Sequence, residues 1–292
     1  MLKNVVVFGA AGQLGVELVR VLENRGYRVH PFNRASVDIT NLPLLEQTLG
    51  PLDPSAVVNA AAYNQVDVAE QEPQAAYAAN ALGVRNLALA CRQLDTLLVH
   101  FSTDYVFDGK LGRPYVETDV PRPLGAYAVS KLAGELYAQA YLENPLIIRT
   151  SGVFGPGGLK TARGNFVELM LRLAKAGKPI RVVEDHVASP TYAPALASRT
   201  VDLIETPHRG VFHIGGGEAI SWFAYARKIF EVAGLQPELH PTNEREYRTA
   251  ARRPKYSALA NTRLAETGVS PMPPLADALA TYLNERSAYL PA

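Results

Sequence analysis

The most constraining feature of this chain is the steady exchange, through its first half, between short uninterrupted apolar runs and longer amphipathic stretches. "NVVVFG", "YRVHPFN", "AVVNAAA" and "TLLVHFST" alternate with "QLGVELVRVLENRG", "LPLLEQTLG" and "EPQAAYAANALGVRNLALACRQL". An apolar run between helical segments reads as a strand buried on both faces, which needs helices above and below it. That is a parallel sheet with helical crossovers, a doubly wound α/β fold. After "PLIIRTSGVFGPGG", Gly and Pro become denser, and the helical stretches "NFVELMLRLAKAG" and "SWFAYARKIFEVAG" alternate with short strands such as "IRVVE" and "GVFHIGG". A smaller second lobe over the carboxyl ends of the strands is expected there, where open α/β sheets bind their ligands.

"GAAGQLG" sets Gly9, Gly12 and Gly15 between the first apolar run and the first amphipathic stretch. The first glycine allows a tight turn, the second lets backbone approach a pyrophosphate, and the third lets the helix pack closely with its N-terminus toward the phosphates. The spacing is G-x-x-G-x-x-G. It predicts a Rossmann-type dinucleotide-binding unit over residues 1–150, followed over 151–292 by a mainly substrate-binding lobe from which some segments return to the first unit. The end of the second run, "FNRASVDIT", carries Asn33 and Arg34, with Asp38 four residues after Arg34. Arginine there accommodates a 2′-phosphate and an acid a 2′-hydroxyl. NADP(H) is therefore expected, with NAD(H) left open, and Arg34 also fits a solvated loop.

With 29 Lys and Arg against 28 Asp and Glu, a formal net charge of +1 and no basic block, neither nucleic acid nor an anionic membrane is expected as partner. The apolar run at the start is too short and too glycine-rich for a signal peptide or a membrane span, so a cytoplasmic protein is expected. Cys91 is the single cysteine. It sits among apolar neighbours at helical spacing and reads as a buried structural thiol. No Cys/His cluster has zinc-ligand spacing, no metal site is predicted, and His186 and His213 read as structural.

In "GAYAVSKLAGE", Tyr127 and Lys131 lie at i and i+4, on one helical face. A fixed ammonium favours a nearby phenolate and so makes tyrosine a better general acid. "HFSTDYVFDG" places Ser102, Thr103 and Asp104 directly after an apolar run, where a βα loop opens toward a cofactor. A hydroxyl at a strand end followed by Tyr-x-x-x-Lys resembles the extended short-chain dehydrogenase/reductase superfamily. "GAAGQLG", "VVNAAAYNQVDVAE", "STDYVFDG", "YAVSKLAGE", "RTSGVFG", "GNFVELMLRLA", "VVEDHVASPTY", "VFHIGGGEAISW" and "RRPKYSAL" follow, in order, the blocks of the dTDP-4-dehydrorhamnose reductase family, over nearly the whole chain.

That resemblance implies reduction of the C4 ketone of dTDP-4-dehydro-L-rhamnose, the last step of dTDP-rhamnose biosynthesis. It assigns catalysis to Thr103, Tyr127 and Lys131. It assigns cofactor contacts to Gly9, Gly12, Gln13, Leu14, Gly15, Asp38, Ile39, Ala61, Ala62, Tyr63, Tyr127 and Lys131, beside the Asn33 and Arg34 read above; Tyr63 equally fits core packing. Sugar-nucleotide contacts fall to Val66, Thr103, Asp104, Tyr105, Asn165, Arg253 and Ser257. Some relatives dimerise, in some cases with magnesium, but no acidic site for it is legible. Sugar-nucleotide 4,6-dehydratases resemble the same fold with an Asp-Glu pair after the threonine. Here the pair is Asp104-Tyr105, which lacks the second carboxylate and favours simple reduction. Gly152 stands where the family commonly has an aromatic residue, and His186 and Ala188 depart from its "DQ.G.PT" block, which leaves the exact sugar open. Reduction of another nucleotide-bound 4-keto sugar is one alternative. An NADP-carrying regulatory subunit, similar to the beta subunit of methionine adenosyltransferase, is the other.

Overall fold

Val5, Val6 and Val7 are all completely buried, because side chains of a strand alternate between its two faces and both faces of this strand are covered. In the computed structural model, which describes residues 3–161 and 164–286, this strand and five others form one sheet, whose edge strand Arg28–Phe32 is only partly buried. They are β1 Asn4–Phe8, β2 Arg28–Phe32, β3 Ala56–Asn59, β4 Leu97–Thr103, β5 Leu146–Thr150 and β6 Gly210–His213. Their order is β2-β1-β3-β4-β5-β6, and every pair is parallel. The chain leaves β1 for β2 on one side and returns to β3 on the other. The switch point, where a crevice opens at the carboxyl ends, therefore lies between β1 and β3.

The eight main helices are α1 Gln13–Asn24, α2 Leu42–Leu49, α3 Gly83–Gln93, α4 Ala126–Tyr141, α5 Phe166–Lys175, α6 Ala193–Ile204, α7 Trp222–Val232 and α8 Leu275–Glu285. On one face of the sheet, Val5 and Val7 meet Leu18 and Leu22 of α1 and Leu196 and Val201 of α6. On the other, Val6 and Phe8 meet Leu45 of α2, Leu87 and Cys91 of α3 and Ala138 of α4. Each buried Val or Leu contributes on the order of 2 kcal/mol from removal of apolar surface from water. A separate core joins Phe154, Val167, Met170, Tyr225, Ile229 and Leu279, drawn from α5, α7 and α8 and the connections around them.

Two local outcomes differ from the sequence pattern. "GVFHIGG", expected as a strand of the later lobe, supplies β6 and pairs in register with β5, Val211 opposite Ile147 and Phe212 opposite Ile148. The stretch expected as one long helix before Leu94 is Pro73–Tyr77 in α-helix, Ala78–Leu82 in a π-turn, then α3. A π-turn admits an extra residue into a helix and is common at functional sites. Here it carries the fully enclosed Asn80, whose amide has work to do at the cleft described below. The outermost residues of the two expected units, 1–2 and 287–292, lie outside the described residues.

Cys91 is completely buried in the α2–α3 face, and desolvation pushes its thiol up to about 12. It should not react with an aromatic disulfide reagent under native conditions and should titrate as one thiol per chain in denaturant. Rapid native labelling would contradict this placement.

Candidate active site

The β1–α1 turn is shaped by its backbone. Gly9 has φ +73°, and a Cβ there would stand 2.5 Å from the Ala61 nitrogen and 2.6 Å from the Ala60 carbonyl carbon. The end of β3 thus lies directly against the turn, with Ala60 and Ala61 beside it and Ala62 next in the chain, and only glycine fits. A Cβ on Gly15 would be 2.1 Å from the Gly9 oxygen, so α1 sits on its own loop. Gly12 is different: a Cβ would meet only the Gly9 oxygen, at 3.1 Å. Gly12 is also the N-cap of α1 and carries no side-chain cap. The first-turn N–H groups and the positive end of the helix are left for an anion, which fits a dinucleotide pyrophosphate. Beside them Gln13 donates from Nε2 to the Val153 carbonyl (2.7 Å), while its Oε1 is buried without a protein partner. Leu14 turns inward against the core.

At the end of β2, Asn33 closes a turn by accepting from the Ser36 N–H (3.0 Å). Arg34 is exposed and pairs with Asp38 through Nε at 3.2 Å. Asp38 also accepts from the N–H and hydroxyl of Thr40 at 2.9 and 2.8 Å, and these bonds hold its carboxyl below the usual value against the opposing effect of partial burial. Ile39 is buried under the loop. A cationic group and a satisfied carboxylate therefore share this corner of the cleft.

The reactive set is carried by β4 and α4. Tyr127 and Lys131 emerge one turn apart, Tyr127 among Val66, Tyr105, Tyr63 and Ala69. Its ring meets that of Tyr105 edge-on at 6.2 Å, and its hydroxyl is 3.5 Å from Asn64 Oδ1. Lys131 donates from Nζ to the Phe101 carbonyl at 2.6 Å. Burial pulls its ammonium down to about 8, against Glu135, which raises it. Thr103 Oγ1 accepts from the Tyr105 N–H and donates to Asp104 Oδ1, both at 3.2 Å. Burial pushes the Tyr105 phenol up to about 12. The sequence reading missed what holds this group to the cleft. Asn80 accepts from the Tyr63 N–H (2.8 Å) and donates to the Tyr63 carbonyl and to Ser130, which in turn donates to the Tyr127 carbonyl (2.7 Å). Its one signal was a lone amide among small residues in "AANALG".

The family model for the RmlD substrate binding domain matches residues 3–288. The chain belongs to the dTDP-4-dehydrorhamnose reductase family. The dTDP-4-dehydrorhamnose reductase of Aggregatibacter actinomycetemcomitans is 36% identical over 282 residues, 92% of this chain and 94% of that protein. SpsK of Bacillus subtilis, a spore coat polysaccharide biosynthesis protein, is 38% identical over 285 residues, 98% of each chain. The crystal structure of the dTDP-4-dehydrorhamnose reductase of Bacillus anthracis in complex with NADP superposes with a TM-score of 0.93 at 36% identity, covering 98% of this chain and 100% of that one.

Within this reductase framework the remaining expected sugar contacts fall into two groups. Val66 and Tyr105 line the Tyr127 cluster directly. Asp104, Ser257 and Asn165 are buried and bonded to protein. Asp104 Oδ2 accepts from Ser151 (2.8 Å) and Ser257 (2.5 Å), joining β4 to the segments after β5 and before the last helices. Asn165 caps α5 by accepting from the Glu168 N–H (3.1 Å) and donates to the Gly155 carbonyl (3.2 Å). Arg253 lies beside Tyr105 but closes its fork on Asp67 at 3.0 and 2.7 Å, so a diphosphate would have to compete with that carboxylate. His213 is neutral at ordinary pH, burial drawing it down to about 3. Asp185, His186 and Glu244 bring ligand atoms within 4.8 Å of one another. The Lys255 ammonium lies 3.5 and 3.4 Å from the two carboxylates, so a cation already serves that cluster.

Burial raises the Asp104 carboxyl to about 6, against hydrogen bonds from Ser257, Ser151 and Thr103 that lower it. A folded-state value above the unfolded one gives stability that is complete below the unfolded value and lost as pH rises through the folded one. At 1.36 kcal/mol per unit this amounts to about 3 kcal/mol between pH of about 4 and about 8. Urea unfolding of wild type and Asp104→Asn across that range should show the wild type losing stability relative to the variant as pH rises. A constant difference would refute the assignment.

Proposed function

We propose that this protein reduces the C4 ketone of dTDP-4-dehydro-L-rhamnose to the alcohol of dTDP-L-rhamnose with NADPH, closing the synthesis of that sugar nucleotide in the cytoplasm. The observation that carries this reading is the clustering of Thr103, Tyr127 and Lys131 on β4 and α4, beside a helix N-terminus built for a pyrophosphate. Family membership and the NADP complex of the Bacillus anthracis reductase support it.

Residues 1–150 hold the cofactor and 151–292 contribute most of the substrate lobe. Gly9, Gly12, Gln13, Leu14 and Gly15 embrace the pyrophosphate, Asn33, Arg34, Asp38 and Ile39 the adenosine end, and Ala61, Ala62 and Tyr63 the wall between. NADPH, when bound, supplies the hydride that converts the ketone carbon to a carbinol. Thr103 donates a hydrogen bond to the ketone oxygen and orients it. Tyr127 gives its phenolic proton to that oxygen as negative charge develops on it. Lys131 favours the phenolate left behind and holds the nicotinamide ribose. Val66 and Tyr105 border the sugar. Asp104, Ser257 and Asn165 hold the substrate side from behind, and Arg253 serves the diphosphate by exchanging Asp67 for it.

With the keto sugar generated in situ, wild type should oxidise NADPH, and Tyr127→Phe should lower kcat by about 100-fold or more, the range of a lost general acid. Folded wild type that binds NADPH but leaves it unoxidised would overturn the proposal; turnover with a competing 4-keto sugar alone would move it to that substrate. Arg34→Ala should raise the KM for NADPH about tenfold, as expected for loss of one charged hydrogen bond, with little change for NADH. Equal effects on both cofactors would remove Arg34 from the 2′-phosphate.

A further inference from the structure

Below Lys131, and outside the residues assigned to the reaction, lies a buried charged group. On α4, Glu135 follows Lys131 at i+4 and Tyr127 at i+8, on the same face. Its carboxylate is 1% exposed and the Arg149 guanidinium opposite is 4% exposed as a residue. Arg149 of β5 grips it with Nε at 3.0 and 3.2 Å and Nη2 at 2.7 Å. Ser102 of β4 donates its hydroxyl to the same carboxylate. Arg149 also stacks over the Phe107 ring at 5.3 Å and reaches His213 Nε2 at 3.5 Å.

Ser102 stands between Phe101, whose carbonyl receives Lys131, and Thr103. The Phe101 carbonyl and the Ser102 side chain of β4 thus both meet the helix that bears the proton donor, and Ser102, next to Thr103, is fastened by Glu135. An ion pair so buried is a poor source of net stability, because desolvation of both ions offsets their attraction. What it does supply is a fixed geometry.

We propose that Glu135 is a positioning residue for the reduction: by gripping Ser102 and Arg149 from α4 it fixes how Thr103 approaches Tyr127. This rests on the reductase reading above. The titratable groups around Lys131 are Tyr127 and Glu135 on α4, His100 on β4, Arg149 on β5 and His213 on β6. His100 and His213 are drawn down by burial and are neutral at working pH. Burial favours loss of the Lys131 proton, and Glu135, one turn further along the same helical face, opposes it.

Three variants test this in an enzyme whose wild-type turnover has first been established, so that failure of the reductase reading shows separately as an inactive wild type. Glu135→Gln should move the alkaline limb of the kcat/KM profile to lower pH by about one unit. Glu135→Asp keeps the charge on a shorter arm, and should leave the limb in place while kcat falls. Ser102→Ala cuts the tie to β4 but spares the ion pair; kcat should fall about tenfold while the Kd for NADPH changes by less than about twofold, as for misplacement of a reacting group. If Glu135→Gln does not fold, because Arg149 is then left uncompensated, the other two carry the test. A purely structural role predicts lower Tm in all variants with an unmoved limb and unchanged kcat for Ser102→Ala, and that result would overturn the proposal.

Discussion

The seam between the end of β4 and the inner face of α4 is the constraint on which the rest of the site depends. A strand end and a helix face are rigid objects, and their relative placement decides whether a hydroxyl, a phenol and an ammonium can address one carbonyl group. Here the placement is set by short polar contacts in a dry interior: the Lys131 ammonium on the Phe101 carbonyl, and the Glu135 carboxylate on Ser102 and Arg149. Burial strengthens these contacts, so each is directional and strongly felt. The π-turn before α3 adds the third side of the frame, because Asn80 fastens the loop after β3 to Ser130 of the same helix.

The cofactor side is built on a different principle, exclusion of side chains. Gly9 and Gly15 let a turn, a helix and the end of β3 come closer than any Cβ would permit. The substrate side depends on a buried carboxylate, Asp104, that draws Ser151 and Ser257 onto β4 from two later segments. Backbone proximity, a polar seam and a buried acid thus meet at the carboxyl ends of β1, β3 and β4.

Much of this was legible because local rules and global fold agree. "VVVF" can be buried on both faces only in a covered parallel sheet, and Gly9, Gly12 and Gly15 have few roles other than a close turn under a helix. Tyr127 and Lys131 were legible as a pair because helical spacing alone puts them on one face. The partners of Asp104, Arg253 and Glu135 were not. Ser257 reaches Asp104 and Asp67 reaches Arg253 from far away in the chain, and Arg149 reaches Glu135 from the next strand, at no helical or strand spacing. Periodicity reports which face a residue occupies, and carries nothing about which distant group will meet it. The π-turn escaped for a related reason, since "AANALG" satisfies an ordinary helical pattern and the Tyr63 backbone that Asn80 serves lies 17 residues away.

The position of β6 has a consequence for how this protein comes into being. Gly210–His213 covers the outer edge of β5, and α6 covers α1, yet both are made long after the first five strands. A chain whose Leu146–Thr150 has folded before Gly210–His213 joins it presents "LIIRT" as a bare sheet margin, an invitation to pair with a neighbouring polypeptide. Closure waits for the later segment to cross back. Fragments ending near residue 150 therefore lack the cap that keeps the sheet solitary, and the ribosome must deliver both halves before either is safe from association.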